Sequence, residues 1–448
     1  MYNTKDWLPR LAAGRITSVW RNSLDTLPKE LSQTKAPPSA SSKRIYIFQL
    51  LTVFIGFLIF GFSENIKGPA IPRIQLEMGL DEMRIGTLLS LNSLGYLLAC
   101  SFTAYLIRKI GIKAVCLLSF GSMVVSGVLI FLSRSYPALS GSFFLMYIGN
   151  GMLEIGLAVL GARIFVRNTG TMMNLSHFFY GLSSTVAPMI ASGLMTLSIG
   201  GRAIDWRDVY LLILSLAVLP MIPAIAGKFP SGGNTEDDRI PLRTIAADPV
   251  IWMLIAILSF GVISEMAVGG WLVNFLEKAY GWSGTAAAGM LSVFFLCFTF
   301  ARLFLGPVTD KIGFTLSVIV FSALSGLLTF AAIAAGEPGA FLFAAAGIGI
   351  APIYPTVMAL IAQRYRKGSD TAITFIVTLM GVSSVIGNYL IGAIITGIKD
   401  IVASSRGAEN GLLLGLQAGY VFIGLCALLC ALSAVPLYRY LKKRGELL

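Results

Sequence analysis

Residues 60–65 read FGFSEN and residues 260–266 read FGVISEM, the same pattern with one residue inserted. Glu64 and Glu265 thereby fall at matching positions. At nearly the same offset the tripeptide KIG at 109–111 returns at 311–313. Each KIG follows the second long apolar run of its half. Two matches at nearly the same offset imply a chain built twice.

Composition identifies the solvent. Of the 448 residues, 56% are hydrophobic and 12% charged, with a mean hydropathy of +0.79; a soluble domain carries about 25% charged residues. The apolar runs are continuous rather than alternating, which excludes a soluble enzyme and a β-barrel. What remains is helices that satisfy their own backbone in lipid. The expected fold class is an all-α membrane protein with twelve transmembrane helices in two pseudo-symmetric six-helix bundles, the plan of alternating-access carriers.

The net charge of +12 is not arranged as a nucleic-acid surface. With twelve spans and a cytoplasmic N-terminus, 25 of the 34 Lys and Arg lie on cytoplasmic segments and nine on the other side. That asymmetry is the positive-inside rule. The expectation is a multi-pass protein of the plasma or inner membrane, both termini cytoplasmic, with the lipid bilayer as surroundings, no nucleic-acid partner and a monomeric state. Cys100, Cys116, Cys297, Cys426 and Cys430 all sit in apolar runs without ligand-like spacing, so packing is expected rather than disulfides or metal binding. No cofactor is expected, and no GxxxxGK[ST] motif occurs that would indicate ATP drive.

Residues 1–44 form a basic arm without an apolar h-region, so no cleavable signal is expected there. The arm reads either as an amphipathic helix on the anionic inner leaflet or as a disordered tail. Spans 1–6 are expected at about 45–65, 85–107, 114–133, 138–166, 171–198 and 208–227, with span 1 broken by Pro69 and Pro72. Residues 228–248 are the longest polar stretch between spans. Spans 7–12 follow at about 250–275, 283–305, 315–335, 340–362, 371–397 and 411–437. The division is therefore an arm (1–44), an N-terminal bundle (45–228), a cytoplasmic linker (229–248) and a C-terminal bundle with a short basic tail (249–448).

Residues 148–182, IGNGMLEIGLAVLGARIFVRNTGTMMNLSHFFYGL, hold the chemistry. Glu154 stands amid apolar residues of span 4, at a cost of at least about 2.5 kcal/mol on insertion scales. The cost is tolerable if Glu154 faces water, a partner or a solute, and smaller if it is protonated part of the time. Asn174, His177 and Tyr180 recur every three residues on span 5 and can share one helical face. His177 is the chain's single histidine. A polar solute with apolar ring faces needs hydrogen-bonding groups and an aromatic platform. Asn65, Asn174, His177, Tyr180, Tyr354 and Asn388 can supply the first and Trp271 the second. Glu154, His177 and Glu64 are the candidate proton carriers. Glu64 and Glu265 can pair across the pseudo-two-fold axis, shape an outer vestibule or attract a cation. Arg163, Arg167 and Arg302 are expected to snorkel or to latch near the cytoplasmic ends. The turns after spans 2 and 8 offer a cytoplasmic gate built from Lys109, Gly111, Asp310, Lys311 and Gly313.

On these features the chain resembles the major facilitator superfamily over about residues 45–440. The family's motif between spans 2 and 3 runs Gly, x, x, x, Asp, basic, x, Gly, basic. AYLIRKIGIK (104–113) keeps the basic residues and Gly111 without the acid, whereas GPVTDKIG keeps Gly306, Asp310, Lys311 and Gly313. Within the superfamily it is most similar to the fucose/galactose/hexose symporter group, through LEIGLAVLGARIF (153–165), MNLSHFFYGLSSTVAPMIASG (173–193), SEMAVGGWLVNFLEK (264–278) and APIYPTVMALIAQRY (351–365). The resemblance implies proton coupling and substrate binding at Glu154 and sugar binding at Asn174, His177 and Tyr180; its span 7 acidic-x-x-x-x-Gly-Trp pattern falls on Glu265, Gly270 and Trp271, with Glu265 and Trp271 as substrate candidates. The fucose-type acid of span 1 is missing, since Asn65 and Gly68 stand in its Asn-x-x-Asp pattern. Sodium coupling and uncoupled transport therefore stay open.

The function expected is secondary active import of a sugar-like small-molecule substrate with a coupling cation, H⁺ first; the chain is not an enzyme. The alternatives are a drug:proton antiporter using Glu64, Glu154 and Glu265 as an acidic set, an exporter or flippase of an amphipathic glycolipid, and a membrane sensor working through the basic arm.

Overall fold

The computed structural model describes residues 40–165, 169–229, 241–365 and 369–446, so the arm reading and the middle of the linker lie outside the described residues. Span 1 is α1 (Ala40–Asn65) continued after Ile66 by α2 (Lys67–Met78). Spans 2–5 are α3 (Glu82–Ile110), α4 (Ile112–Leu132), α5 (Tyr136–Ile164) and α6 (Thr169–Leu194). A two-strand hairpin, β1 (Ser198–Ile199) with β2 (Arg202–Ala203), leads to span 6, which is α7 (Trp206–Ser215) plus α8 (Val218–Ala226). The short α9 (Leu242–Ala246) precedes spans 7–9, which are α10 (Pro249–Tyr280), α11 (Gly284–Ile312) and α12 (Phe314–Ala335). Span 10 is α13 (Phe341–Ile350) with α14 (Ile353–Arg364), and spans 11 and 12 are α15 (Ser369–Arg406) and α16 (Ala408–Arg444). Eleven spans among the described residues are long and apolar enough to cross a membrane; the 26-residue α6 is the twelfth.

Span 1 departs from expectation. The helix breaks at Ile66 rather than at the prolines, and α2 carries Pro69 in its first turn and Pro72 inside. A first-turn residue has no intrahelical N–H bond to lose, so Pro69 is harmless there. The repeat, by contrast, has a direct structural counterpart. Gly111 (φ 85°, ψ 155°) and Gly313 (φ 88°, ψ 147°) close α3 and α11 in one conformation, each donating its N–H to the carbonyl four residues back. Positive φ at both turns is the reason each KIG needs its glycine.

Each half is fastened internally by charge at one end. In the N-terminal half, Arg207 is buried and donates to both oxygens of Glu77 at 2.6 Å and to the Ser133 carbonyl at 3.0 Å. In the C-terminal half, Asp248 caps α10 through the Val250 N–H and accepts from Tyr365 (2.6 Å) and Arg364 (3.1 Å), and Arg364 reaches Glu446 of the tail at 2.6 Å. Partial burial opposes the charge of Asp248, but these donors outweigh it and hold the carboxyl below its ordinary value. The stability it adds is present above the unfolded value of about 3.9 and is lost as pH falls through the lower folded value. Asp248→Asn is therefore expected to lower the unfolding temperature at pH 7 and to do so much less only once the pH has fallen below the lowered folded value. Thermal unfolding followed by labelling of the buried cysteines checks this; an equal loss at both pH values removes the linkage.

The halves meet along span 2 with span 11, span 5 with span 8, and α2 with span 7. Apolar burial does not drive helix pairing in lipid, so close packing of small residues and hydrogen bonds carries these seams. Gly86 lies against the backbone of Gly392, Ser90 donates to the Val385 carbonyl (2.8 Å), and Asn388 donates to Ser93 (3.1 Å). Asn388 thus serves the seam between the halves.

Candidate functional site

The site grows from span 4. Tyr147, Asn150 and Glu154 follow one another at helical spacing down one face of α5. The upper two hold Glu64 of span 1: Tyr147 Oη donates to Glu64 Oε1 (3.3 Å) and Asn150 Nδ2 to Glu64 Oε2 (3.5 Å). Lys67, one turn past Glu64 on the same span, forms a direct ion pair with it and contacts Tyr147 Oη at 3.2 Å. Both charges are buried, at 7% and 8% exposure. Of the readings open for Glu64 and Glu265, pairing with each other across the pseudo-axis does not occur. Glu265 has its own cation, Arg302 of span 8, at 3.6 Å. Two carboxylates at one site repel, and a cation within each half is the cheaper arrangement in low dielectric.

Arg302 is accordingly not a snorkelling residue. It lies over the Phe298 ring (4.2 Å), donates to the Ala351 carbonyl (3.1 Å) and faces Glu265.

Glu154 is half-buried and accepts a short hydrogen bond from the Tyr96 hydroxyl of span 2. Among the described residues no cation comes within ion-pair distance of it; it lies in the field of Glu64, Arg302 and Glu265. Tyr354 of span 10 shares the field of Glu154, Glu265 and Arg302, and Tyr180 that of Glu64, Glu154 and Glu265. Both tyrosines are half-buried. Tyr180 packs on Phe60, ring centres 5.0 Å apart, and the exposed His177 packs on Phe57 at 5.0 Å and lies in the field of Arg302. Glu154, Tyr180, Glu265 and Tyr354 therefore lie within electrostatic reach of one another, with Tyr96 bonded to Glu154 and Arg302 paired with Glu265; His177 is within reach of Arg302.

Other candidates stand elsewhere. Asn65 is buried and donates to Ser184 Oγ (2.8 Å) and the Gly61 carbonyl (2.9 Å), tying span 1 to span 5. Trp271 is 1% exposed with its indole N–H unpartnered. It is packed inside the protein in this conformation and offers no open platform. The Asn174 and Asp310 side chains lie outside the described residues. Lys109 lies over the Tyr105 ring of its own helix and Lys311 is exposed, so neither shows a latch to the other half. No group of three potential metal ligands stands together among the described residues.

Sequence reading missed the charges that close the face opposite the linker. Glu82 opens α3, is 2% exposed, and accepts from Lys278 of span 7 (3.0 Å), Lys399 of span 11 (2.9 Å) and Gln75 of α2 (3.2 Å). Asn274 donates to Gln75 (2.8 Å), and Arg73 pairs with Glu277 through two bonds of 2.9 and 3.1 Å. The available signal was two lysines and an arginine at the ends of otherwise apolar runs. Such residues read as topology markers until the partner in the other half is known.

The family model described as the Major Facilitator Superfamily matches residues 53–289 and 262–447. The protein TsgA homolog of Citrobacter koseri is 20% identical over 346 residues, covering 76% of this chain and 86% of that protein. Among solved structures, a bacterial homolog of the human lysosomal transporter Spinster, inward-facing and occupied, superposes with a TM-score of 0.74 at 12% identity over 88% of this chain and 97% of that one. A D-xylose–proton symporter gives 0.72 at 14% identity (87% and 97%), and the FucP transporter in the outward conformation gives 0.60 at 16% (87% and 98%). These likenesses establish the architecture, and the match of the family model across both halves establishes kinship: the chain belongs to the Major Facilitator Superfamily and is one of its transporters.

Proposed function

We propose that the transporter carries a polar, sugar-like solute together with a proton, and that the proton rides on Glu154. The observation that carries this reading is a half-buried carboxyl without a cationic partner among the described residues. It accepts from Tyr96 and lies within electrostatic reach of Tyr180 and Tyr354, between two bundles of the kind that rock about a central site. Protonated, the carboxyl is neutral and can be enclosed; charged, it needs water. The likeness to a D-xylose–proton symporter and to FucP, named in one structure as a fucose:proton symporter, supports the solute class.

The positive-inside asymmetry supports a cytoplasmic linker face and import from the side that the Glu82 cluster closes. A drug:proton antiporter fits less well, because the acidic set it needs is neutralised by Lys67 and Arg302. Proteoliposomes with a pH-sensitive dye, given hexoses, deoxyhexoses and lipophilic cations in turn, test the reading. Alkalinisation of the medium with a sugar is expected. Proton movement with lipophilic cations alone overturns it.

A further inference from the structure

Span 12 is longer than the membrane is thick. α16 has 37 residues, about 55 Å at 1.5 Å per residue, against a hydrocarbon core of about 30 Å. Its counterpart in the first half, span 6, is two short pieces that stop at Ala226. The far end of α16 lies on the linker side, because Glu446 just beyond it meets Arg364, the same arginine that Asp248 holds at the start of span 7.

Helical register shows which way this end faces. Leu425, Leu429, Leu432, Pro436, Arg439 and Lys443 are all exposed and follow one another at intervals of three or four residues. Such spacing keeps to one face of a helix. The face that meets lipid tails through its leucines therefore changes to arginine and lysine without leaving register. Lys442 and Arg444 are exposed beside them. Lys442 lies over the Tyr438 ring at 5.8 Å and Arg444 over the Tyr440 ring at 4.7 Å, and tyrosine favours the level of the headgroups.

The protein leaves these charges unanswered. Residues 438–445 include no acid. Among the described residues no carboxylate stands within ion-pair distance of Arg439, Lys442, Lys443 or Arg444, and Glu446 is turned away from them. Gly445, at φ 69°, ends the helix and returns its N–H to the Leu441 and Lys442 carbonyls, and Glu446 then accepts from Arg364 at 2.6 Å.

We propose that the linker-side end of span 12 binds an anionic phospholipid, its tails along Leu425, Leu429 and Leu432 and its phosphate on Arg439 and Lys443. Lys442 and Arg444 add to the attraction. Basic clusters just beyond a transmembrane helix draw anionic headgroups, and a guanidinium matches two phosphate oxygens at once. A zwitterionic headgroup brings an ammonium that the cluster repels. A soluble phosphate ester shares the phosphate but has no tails for the leucine face. The inference holds whichever solute is carried.

The test uses the full chain in detergent. Phosphatidylglycerol with a photoactivatable group near its headgroup is crosslinked to the protein, in parallel with the matching phosphatidylethanolamine, and the modified peptides are mapped by mass spectrometry. Phosphatidylglycerol is expected on residues 425–444, in excess over phosphatidylethanolamine. Equal labelling there by the two lipids, or phosphatidylglycerol spread evenly over all the basic turns, overturns the proposal. Glycerol phosphate at the same concentration should leave the labelling intact; displacement by it would make this a site for free phosphate esters instead. In native mass spectrometry, Arg439→Gln with Lys443→Gln should weaken phosphatidylglycerol binding about 25-fold, roughly fivefold for each basic residue removed. Arg439→Lys with Lys443→Arg should retain it. Unchanged binding in the glutamine variant overturns the assignment of the phosphate to these two residues. If that variant does not fold, the crosslinking map of the unmodified protein decides.

Discussion

Glu154→Gln is expected to abolish concentrative uptake while leaving counterflow exchange of the same solute intact. Glutamine has the size of a protonated glutamate, stays neutral, and keeps an oxygen that can accept from Tyr96. The variant should therefore enclose solute and return, which is all that counterflow requires. It cannot return charged on one side and neutral on the other, so the proton gradient no longer does work. The magnitude follows from the charge. Carrying a carboxylate through the bilayer centre costs at least about 2.5 kcal/mol, a preference of roughly 60-fold for the neutral form. Without that preference the accumulation ratio should relax to parity. Accumulation unchanged from the parent would falsify the assignment of the proton to Glu154.

The second large effect is steric. A side chain at Gly86 would begin 2.8 Å from Gly392 Cα and 2.9 Å from the Asn388 carbonyl, and one at Gly392 would begin 2.7 Å from the Glu82 carbonyl. These neighbours are backbone atoms of two packed helices and cannot swing aside. Gly86→Val should prevent spans 2 and 11 from meeting, and with them the Glu82 contacts to Lys278 and Lys399. Overpacking costs about 1–3 kcal/mol, which shifts a two-state equilibrium by about 5- to 150-fold. Net transport should fall by that order while solute still binds from the blocked-open side. The readout is labelling of a cysteine placed at Ser93 by an impermeant thiol reagent. It should rise in Gly86→Val, and the same reagent on a cysteine at Gly201 reports which membrane face the hairpin occupies. Wild-type labelling together with wild-type flux would show that the seam opens without passing through this contact.

Much of the molecule was legible before any coordinates. Hydropathy set the number of crossings, because lipid admits only segments that satisfy their own backbone. The KIG repeat pointed to two like halves, and its glycines prove to be obligatory turn residues. Glu154 was conspicuous because a lone acid in an apolar run is costly wherever it points. The ends of helices were less legible. Pro69 and Pro72 read as a stop, yet the first turn of α2 absorbs one and α2 continues past the other.

What the sequence by itself determined, then, is a twelve-span, twice-built helical membrane protein with one acidic residue to explain in span 4. Which charges answer which was decided by tertiary structure alone. Lys67 beside Glu64 is local, but its burial under span 7 and its hold on Tyr147 are not. Arg302 looked like a membrane-edge residue until span 8 brought it to Glu265. Trp271 looked like a platform until its helix turned it into the protein interior. Glu82 meets lysines from two other spans only when the halves close. The physical reason is the same in each case. Hydropathy and helical period act along the chain and can be read from it, whereas an ion pair acts through space, between residues whose separation in sequence carries no record of their distance.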